Sequence, residues 1–172
     1  MVGMVDAQAR PGGMCVRRGY PADIVGHASK RGVQLVVDLI GTWRLKSAYF
    51  VAQSTGDRLD VLGAEPFGYA VFEPTGRMIS LLTAGARTRA ASATDPAALH
   101  RSMVAYTGTW SIDGDRFITQ VDGAWDPSWV GTEQVRHWVF DGRTLSIRTT
   151  PVEHPSFPGE KVIGYVDWEK EA

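Results

Sequence analysis

The sequence has one cysteine, no long apolar run and no excess of charge of either sign, and each absence excludes a class of protein. Cys15 alone forms neither an intramolecular disulfide nor a zinc site of several cysteines. The longest apolar stretches, such as 34–40, fall far short of the roughly 18 residues that a membrane-spanning helix needs. Eighteen basic and nineteen acidic residues give a net charge of −1. We therefore expect neither a membrane nor a nucleic acid as a partner.

The chain divides into two parts of different composition. Its 172 residues, 44% of them apolar, suffice for one domain. Residues 1–33 carry five basic and two acidic side chains and a single aromatic one, Tyr20, whereas the rest of the chain holds sixteen aromatic residues. This contrast predicts a mobile N-terminal tail over 1–33 and a folded domain over 34–172. The first residues lack the apolar stretch of a secretory signal, so we expect a cytoplasmic protein.

Short alternating segments separated by turns predict an all-β fold. The alternation at 43–51 places Trp43, Leu45 and Tyr49 on one face of a first strand. Three hairpins are predicted around glycine-containing turns: 68–83, 106–121 and 134–150. A final alternating run at 162–168 brings the total to about eight strands in sequence order. Such a sheet closes into an up-and-down antiparallel barrel without exposed edges.

One segment favours a helix instead of a strand. Thr94 or Asp95 is suited to the N-cap, Pro96 to the first helical position, and Leu99 and Met103 then lie four apart on one face. The pattern predicts about ten helical residues. A single helix excludes a doubly wound α/β sheet, and in a closed barrel it would serve as a lid or plug at one mouth or pack against the outside.

Five sequence blocks in order resemble a known family. Gly41-Thr42-Trp43 is similar to the Gly-x-Trp signature of lipocalins. The whole set resembles the bacterial and fungal lipocalin-like domain family over about 39–170; its blocks are 39–45, 68–69, 74–78, 106–110 and 129–136. The chain departs from secreted lipocalins in having no disulfide pair. The resemblance implies a barrel with the tryptophan closing its base. It also implies either a passive carrier of small apolar molecules or a cofactor-free cyclase, dehydratase or isomerase of polyketide-type or terpenoid substrates.

Arg136 is the most informative candidate site residue. It shares a strand face with Gln134, Trp138 and Phe140, and the aromatic bulk indicates that this face is internal. A buried guanidinium costs several kcal/mol, in the range of ~3–5, unless it is paired. Arg136 would therefore bind a carboxylate, enolate or carbonyl oxygen of a ligand. The alternative is a structural role, stacked across Trp43 at the base or paired internally.

Two tyrosines are candidates for proton donation. Tyr69 shares its strand face with Val71, and Tyr106 shares its face with Trp110 and Ile112. A phenol inside a cavity donates to a ligand carbonyl or acts as a general acid. The alternative for each is simple space filling, with the hydroxyl bonded to a neighbour.

The remaining candidates lie near the predicted mouth. Trp125 and Trp129, in a loop rich in glycine and proline, would shape the rim or pack beneath it. His154, next to Glu153, is a possible proton shuttle or one half of a solvated pair. The candidate catalytic residues are Arg136, Tyr69, Tyr106 and His154, and the candidate ligand-binding residues are Gln134, Trp138, Tyr49, Trp110, Trp125 and Trp129.

Known motifs for other chemistry are missing from the sequence. It contains no His-Glu-x-x-His, no phosphate-binding glycine loop and no nucleophile elbow. We expect a cofactor-free and metal-free monomer or homodimer that acts on a small molecule. Three hypotheses remain: an enzyme, whose cavity would bring Arg136 and a tyrosine, Gln134 or His154 together; a carrier with an almost wholly apolar cavity; and an interaction module with a solid core.

Overall fold

The structure, a computed structural model, describes residues 38–89 and 95–171. These residues contain ten antiparallel strands and a short helix. The predicted tail over 1–33 and the start of the predicted domain lie outside these residues. The strands are β1 Gly41–Ala52, β2 Arg58–Asp60, β3 Phe67–Phe72, β4 Arg77–Thr83, β5 Met103–Asp113, β6 Arg116–Ala124, β7 Glu133–Phe140, β8 Thr144–Thr149, β9 Val152–His154 and β10 Phe157–Lys170, and helix α1 is Asp95–Arg101.

Eight of the strands close into a barrel. The order β1-β3-β4-β5-β6-β7-β8-β10 follows the chain, and β1 pairs with β10 to complete the ring. The predicted eight-stranded, up-and-down, all-β barrel is thus confirmed. Two three-residue strands were not anticipated: β2 pairs with the end of β1, and β9 pairs with the start of β10.

The predicted hairpins are present because their turns contain glycine where the backbone turns left-handed. Gly76, Gly114 and Gly142 have φ angles of 85°, 62° and 100°, a region that favours glycine. These turns join β3 to β4, β5 to β6 and β7 to β8. All three lie at the end of the barrel that also contains Trp43.

The predicted alternation of β1 is wrong in its second half. Its pairing with β10 shifts by one residue between Leu45 and Ser47. This irregularity exchanges the two faces of the strand. Trp43 and Leu45 are buried as expected, but beyond the shift Ala48 and Ala52 take the inward positions. Periodicity alone could not reveal an irregularity that the partner strand imposes.

Helix α1 is shorter than predicted, with seven residues instead of about ten. Met103 does not belong to it, because this residue already opens β5. Thr94, one of the two predicted caps, lies outside the described residues. The helix ends at the mouth of the barrel, where Nε2 of His100 is 3.2 Å from the carbonyl oxygen of Trp125. Its function as a lid stays a prediction.

The hydrophobic core is concentrated at the base of the barrel. Indole Nε1 of Trp43 donates a 2.8 Å hydrogen bond to the carbonyl of Leu39. Above Trp43, the rings of Phe72, Trp110 and Phe117 pack together with centroids 5.1–5.6 Å apart. The base is therefore solid. Among the described residues, no helix has the length and apolar character needed to cross a membrane.

Candidate functional site

A cavity of about 450 Å³ occupies the barrel beyond the aromatic base. It exists because several inward positions on neighbouring strands carry small side chains, among them Ala48, Ala70, Ser80 and Gly164. Its mouth lies near α1, β9 and the 3₁₀ turn Pro127–Trp129. A volume of this size is typical of small-molecule sites, and it excludes the solid-core hypothesis.

Arg136 extends from β7 into the wall of this cavity. Its Nη1 donates a 2.9 Å hydrogen bond to the carbonyl of Val135, and its Nη2 donates a 2.8 Å bond to Oε1 of Gln134. Within the described part of the chain, Arg136 forms no ion pair with a carboxylate. Burial lowers the pKa of the guanidinium; arginine nevertheless stays charged at neutral pH. A cation to which the described residues supply no carboxylate thus faces the cavity.

Arg136 does not stack across Trp43 at the barrel base, whereas its bonds to Val135 and Gln134 are compatible with the other structural alternative, internal pairing. The cation that covers Trp43 is Lys170, whose Nζ lies 5.4 Å from the centre of the indole ring. The guanidinium carbon of Arg136 instead lies 5.9 Å from the ring centre of Trp129, near the mouth. Arg136 therefore lies near the mouth of the barrel and away from Trp43.

Gln134 holds the guanidinium in place from the same strand. While its Oε1 accepts from Arg136, its Nε2 donates a 2.9 Å bond to Oγ1 of Thr132. The Thr132 hydroxyl in turn donates to the carbonyl of Trp129 at 2.7 Å. These bonds orient the Gln134 amide with its oxygen towards Arg136 and connect the cation to the rim.

Tyr106 lines the same region of the cavity from β5. Its ring centre lies 5.5 Å from that of Trp129. Burial raises the pKa of the phenol, and this effect outweighs Arg136 and the Ser80 hydroxyl, which lower it. The hydroxyl is therefore protonated at neutral pH and available as a hydrogen-bond or proton donor.

His154 contributes to the wall from β9, at the mouth. Its ring packs against Phe50 at 4.5 Å, and its Nδ1 accepts a 3.2 Å hydrogen bond from the backbone of Ser156. The neighbouring Glu153 is exposed. Since Nδ1 acts as an acceptor, the neutral ring carries its proton on Nε2, which is left to donate to a bound molecule.

Two tryptophans lie together near the mouth. The rings of Trp125 and Trp129 meet edge to face at 4.8 Å, and His100 of α1 packs on Trp125 at 6.2 Å. Trp129 lines the cavity, whereas Trp125 lies behind it and joins it to the helix.

Four predicted site residues lie elsewhere or at the edge. Tyr69 is on the outer face of β3 beside Phe67, because Ala70 and Phe72 take the inward positions. Trp110 and Trp138 belong to the packed core and do not line the cavity. Tyr49 touches the cavity, but its ring stacks on Tyr165 at 5.1 Å and is covered by Arg58 at 3.7 Å.

Sequence reasoning missed several residues of the wall. Ser80 is 3% exposed and lies at an inward position between Met78 and Leu82 on β4. The sequence could have indicated Ser80, because it is a small polar residue in a strand face that is otherwise apolar. Phe50 was missed because of the shift in β1, and Arg101 because α1 was predicted to be longer.

The described residues contain no group of three or more histidine, cysteine, aspartate or glutamate side chains placed to hold a metal ion. Residues 40–171 match the family model of the lipocalin-like domain, which covers the barrel. No curated protein matches the sequence closely enough to count as a relative.

Proposed function

Because the chain belongs to the lipocalin-like domain family, we propose that its barrel binds a small, largely apolar organic molecule and converts it without a cofactor. The cavity wall consists mainly of aliphatic and aromatic side chains, which suits an apolar ligand. The reaction we propose is a cyclisation, an isomerisation or a loss of water in cytoplasmic natural-product metabolism.

One observation carries the catalytic part of the proposal: Arg136 lies in the cavity without a carboxylate partner among the described residues, in the electrostatic range of Tyr106. An unpaired buried charge reduces stability. Ionisable groups whose pKa is shifted by burial are concentrated at functional sites. A purely apolar carrier cavity would need neither group.

The proposed chemistry follows from the donors in the wall. The cavity would fold the substrate so that its reacting atoms lie close together, which alone lowers a barrier substantially. Arg136 would stabilise negative charge as it develops on a carbonyl or enolate oxygen. Tyr106 would donate a proton to that oxygen and regain one from the substrate as the product forms, and His154 is a candidate second proton donor through Nε2–H. No electrons enter or leave in such a reaction.

A second candidate function is a carrier that binds the same molecule and leaves it unchanged. The apolar residues that form most of the wall, such as Phe72, Met78 and Leu82, favour it. In this case Arg136 and Tyr106 would select and orient the ligand instead of promoting a reaction.

The proposal is tested by incubating the protein with linear polyketide-type and terpenoid precursors. Native mass spectrometry measures binding, and chromatography detects products. Conversion by the wild type should fall about a hundredfold in Tyr106→Phe, with ligand affinity changed less than about fivefold. Tyr69→Phe, the same change on the outer face, should leave conversion intact. Binding with full recovery of unchanged precursor would favour the carrier. Absence of binding by every precursor would refute both functions.

A further inference from the structure

The charges around the cavity indicate the chemical class of its ligand. Arg136 contributes to the wall from β7, and Arg101 contributes from the last residue of α1. No aspartate or glutamate of the described chain lines the cavity. The site therefore has positive but no negative side chains, and a bound anion would meet attraction without repulsion.

Arg136 also has unused hydrogen-bonding capacity. A guanidinium carries five N–H donors. One donor on Nη1 is bonded to Val135 and one on Nη2 to Gln134. The described residues provide no acceptor for the remaining donors. Two parallel donors of a guanidinium match the two oxygens of a carboxylate, and this arrangement is stronger and more specific than a single bond.

We propose that the ligand is an amphipathic organic acid whose carboxylate is bound by Arg136, a proposal that rests on the proposed binding function. Its apolar body occupies the space between Phe72, Met78 and Leu82 on one side and Ile147 and Val166 on the other. The carboxylate acts as a counterion for the partly desolvated Arg136. Binding therefore offsets the desolvation cost of this charge.

Three probes with the same ten-carbon chain and different heads test this inference on the wild-type protein: decanoate, decanol and decyltrimethylammonium. Binding is measured by calorimetry and tryptophan fluorescence at pH 8, where decanoate is ionised. A charge-assisted bidentate contact predicts that decanoate binds about ten- to a hundredfold more tightly than decanol. The ammonium probe should bind more weakly than the alcohol.

Arg136 variants assign the effect to this side chain. Arg136→Met should remove the preference for decanoate and leave decanol binding within about threefold. Arg136→Lys keeps the charge but not the paired donors, so an intermediate preference is expected. Arg148→Met is the matched control, because Arg148 is an exposed arginine on the adjacent strand β8 that does not line the cavity. It should bind all three probes like the wild type.

The outcomes separate this inference from the function on which it rests. Equal binding of decanoate and decanol would overturn the organic-acid inference and leave the apolar-ligand proposal standing. If none of the probes binds, both fail. A preference for decanoate that persists in Arg136→Met would show that a different cation, such as Arg101, selects the acid, and would refute the assignment to Arg136. Because the first comparison uses only the wild type, it holds even if a variant does not fold.

Discussion

The two ends of the barrel have the same strands but differ in the volume of their inward side chains. At the base, Trp43, Phe72 and Trp110 fill the ring of strands completely. Towards the mouth, the inward positions carry residues as small as Ala48 and Ser80, and about 450 Å³ stays open. The comparison shows that the backbone fold alone does not make a binding site. Side-chain volume at a few positions decides which end holds the structure together and which end holds a ligand.

The largest difference is expected between tryptophans of the two ends. Trp43→Ala removes a fully buried ring and its hydrogen bond to Leu39, so the free energy of unfolding should fall by about 3–5 kcal/mol. Trp129→Ala removes a partly exposed ring at the rim and should cost about 1 kcal/mol or less while weakening ligand binding. Chemical denaturation measures both. Equal losses would contradict the division into base and mouth.

Arg136→Met should separate function from stability at the mouth. The partly buried guanidinium of Arg136 has no carboxylate partner among the described residues and reduces stability. The free energy of unfolding of Arg136→Met should therefore equal that of the wild type or exceed it by about 1–2 kcal/mol. Binding of a carboxylate ligand should weaken to the level of the matching alcohol, and turnover should be lost. Denaturation and binding measurements on the same preparation test this. A clear loss of stability would establish that Arg136 has a structural role.

Filling the hollow end should abolish the site without harming the fold. Ala48 lines the cavity, and Ala48→Leu directs a larger side chain into open space. We expect ligand affinity to fall at least about tenfold and the free energy of unfolding to change by less than about 1.5 kcal/mol. By contrast, Gly108→Ala on β5, at a position that does not line the cavity, should be destabilising, because an added Cβ would lie 2.1 Å from the carbonyl oxygen of Gln120. Unaltered binding in Ala48→Leu would place the ligand elsewhere.

The smallest effect is expected at alkaline pH. Burial raises the pKa of Tyr106 above its ordinary value of 10.0. The unfolded chain therefore loses this proton first, so the contribution of Tyr106 is complete below about pH 10 and is lost as the pH rises towards the folded-state pKa. The free energy of unfolding should fall by up to about 1.4 kcal/mol per pH unit more steeply in the wild type than in Tyr106→Phe. Parallel curves for the two proteins would argue against a buried phenol.

Much of the fold was predictable because turn chemistry is local. Gly114 and Gly142 each follow an aspartate, and their positive φ angles locate two hairpins without any tertiary information. The closed barrel followed from the number and order of the strands. The bulge in β1 and the strands β2 and β9 were not predictable, since each depends on a partner strand distant in sequence.

The candidate site was predictable where one strand face was clearly internal. On β7, Val139 is exposed and Arg136 lines the cavity, as the aromatic residues on the same face indicated. On β3 both faces are apolar, with Tyr69 and Phe67 on one and Ala70 on the other, so parity could not identify the inner face. The small residue marked the inside here, and the large ones lie outside.

The pairing of β1 with β10 has a consequence for how the barrel assembles. These strands pair from Trp43 with Lys170 to Ala52 with Val162, with one irregularity between Leu45 and Ser47, although most of the domain separates them along the chain. Contacts this remote in sequence slow folding, because a large loop must close before they form. During synthesis, β1 cannot pair with β10 until β10 has left the ribosome. Until then the barrel is open and the cavity is incomplete. Any factor that intercepts the growing polypeptide would meet an open sheet.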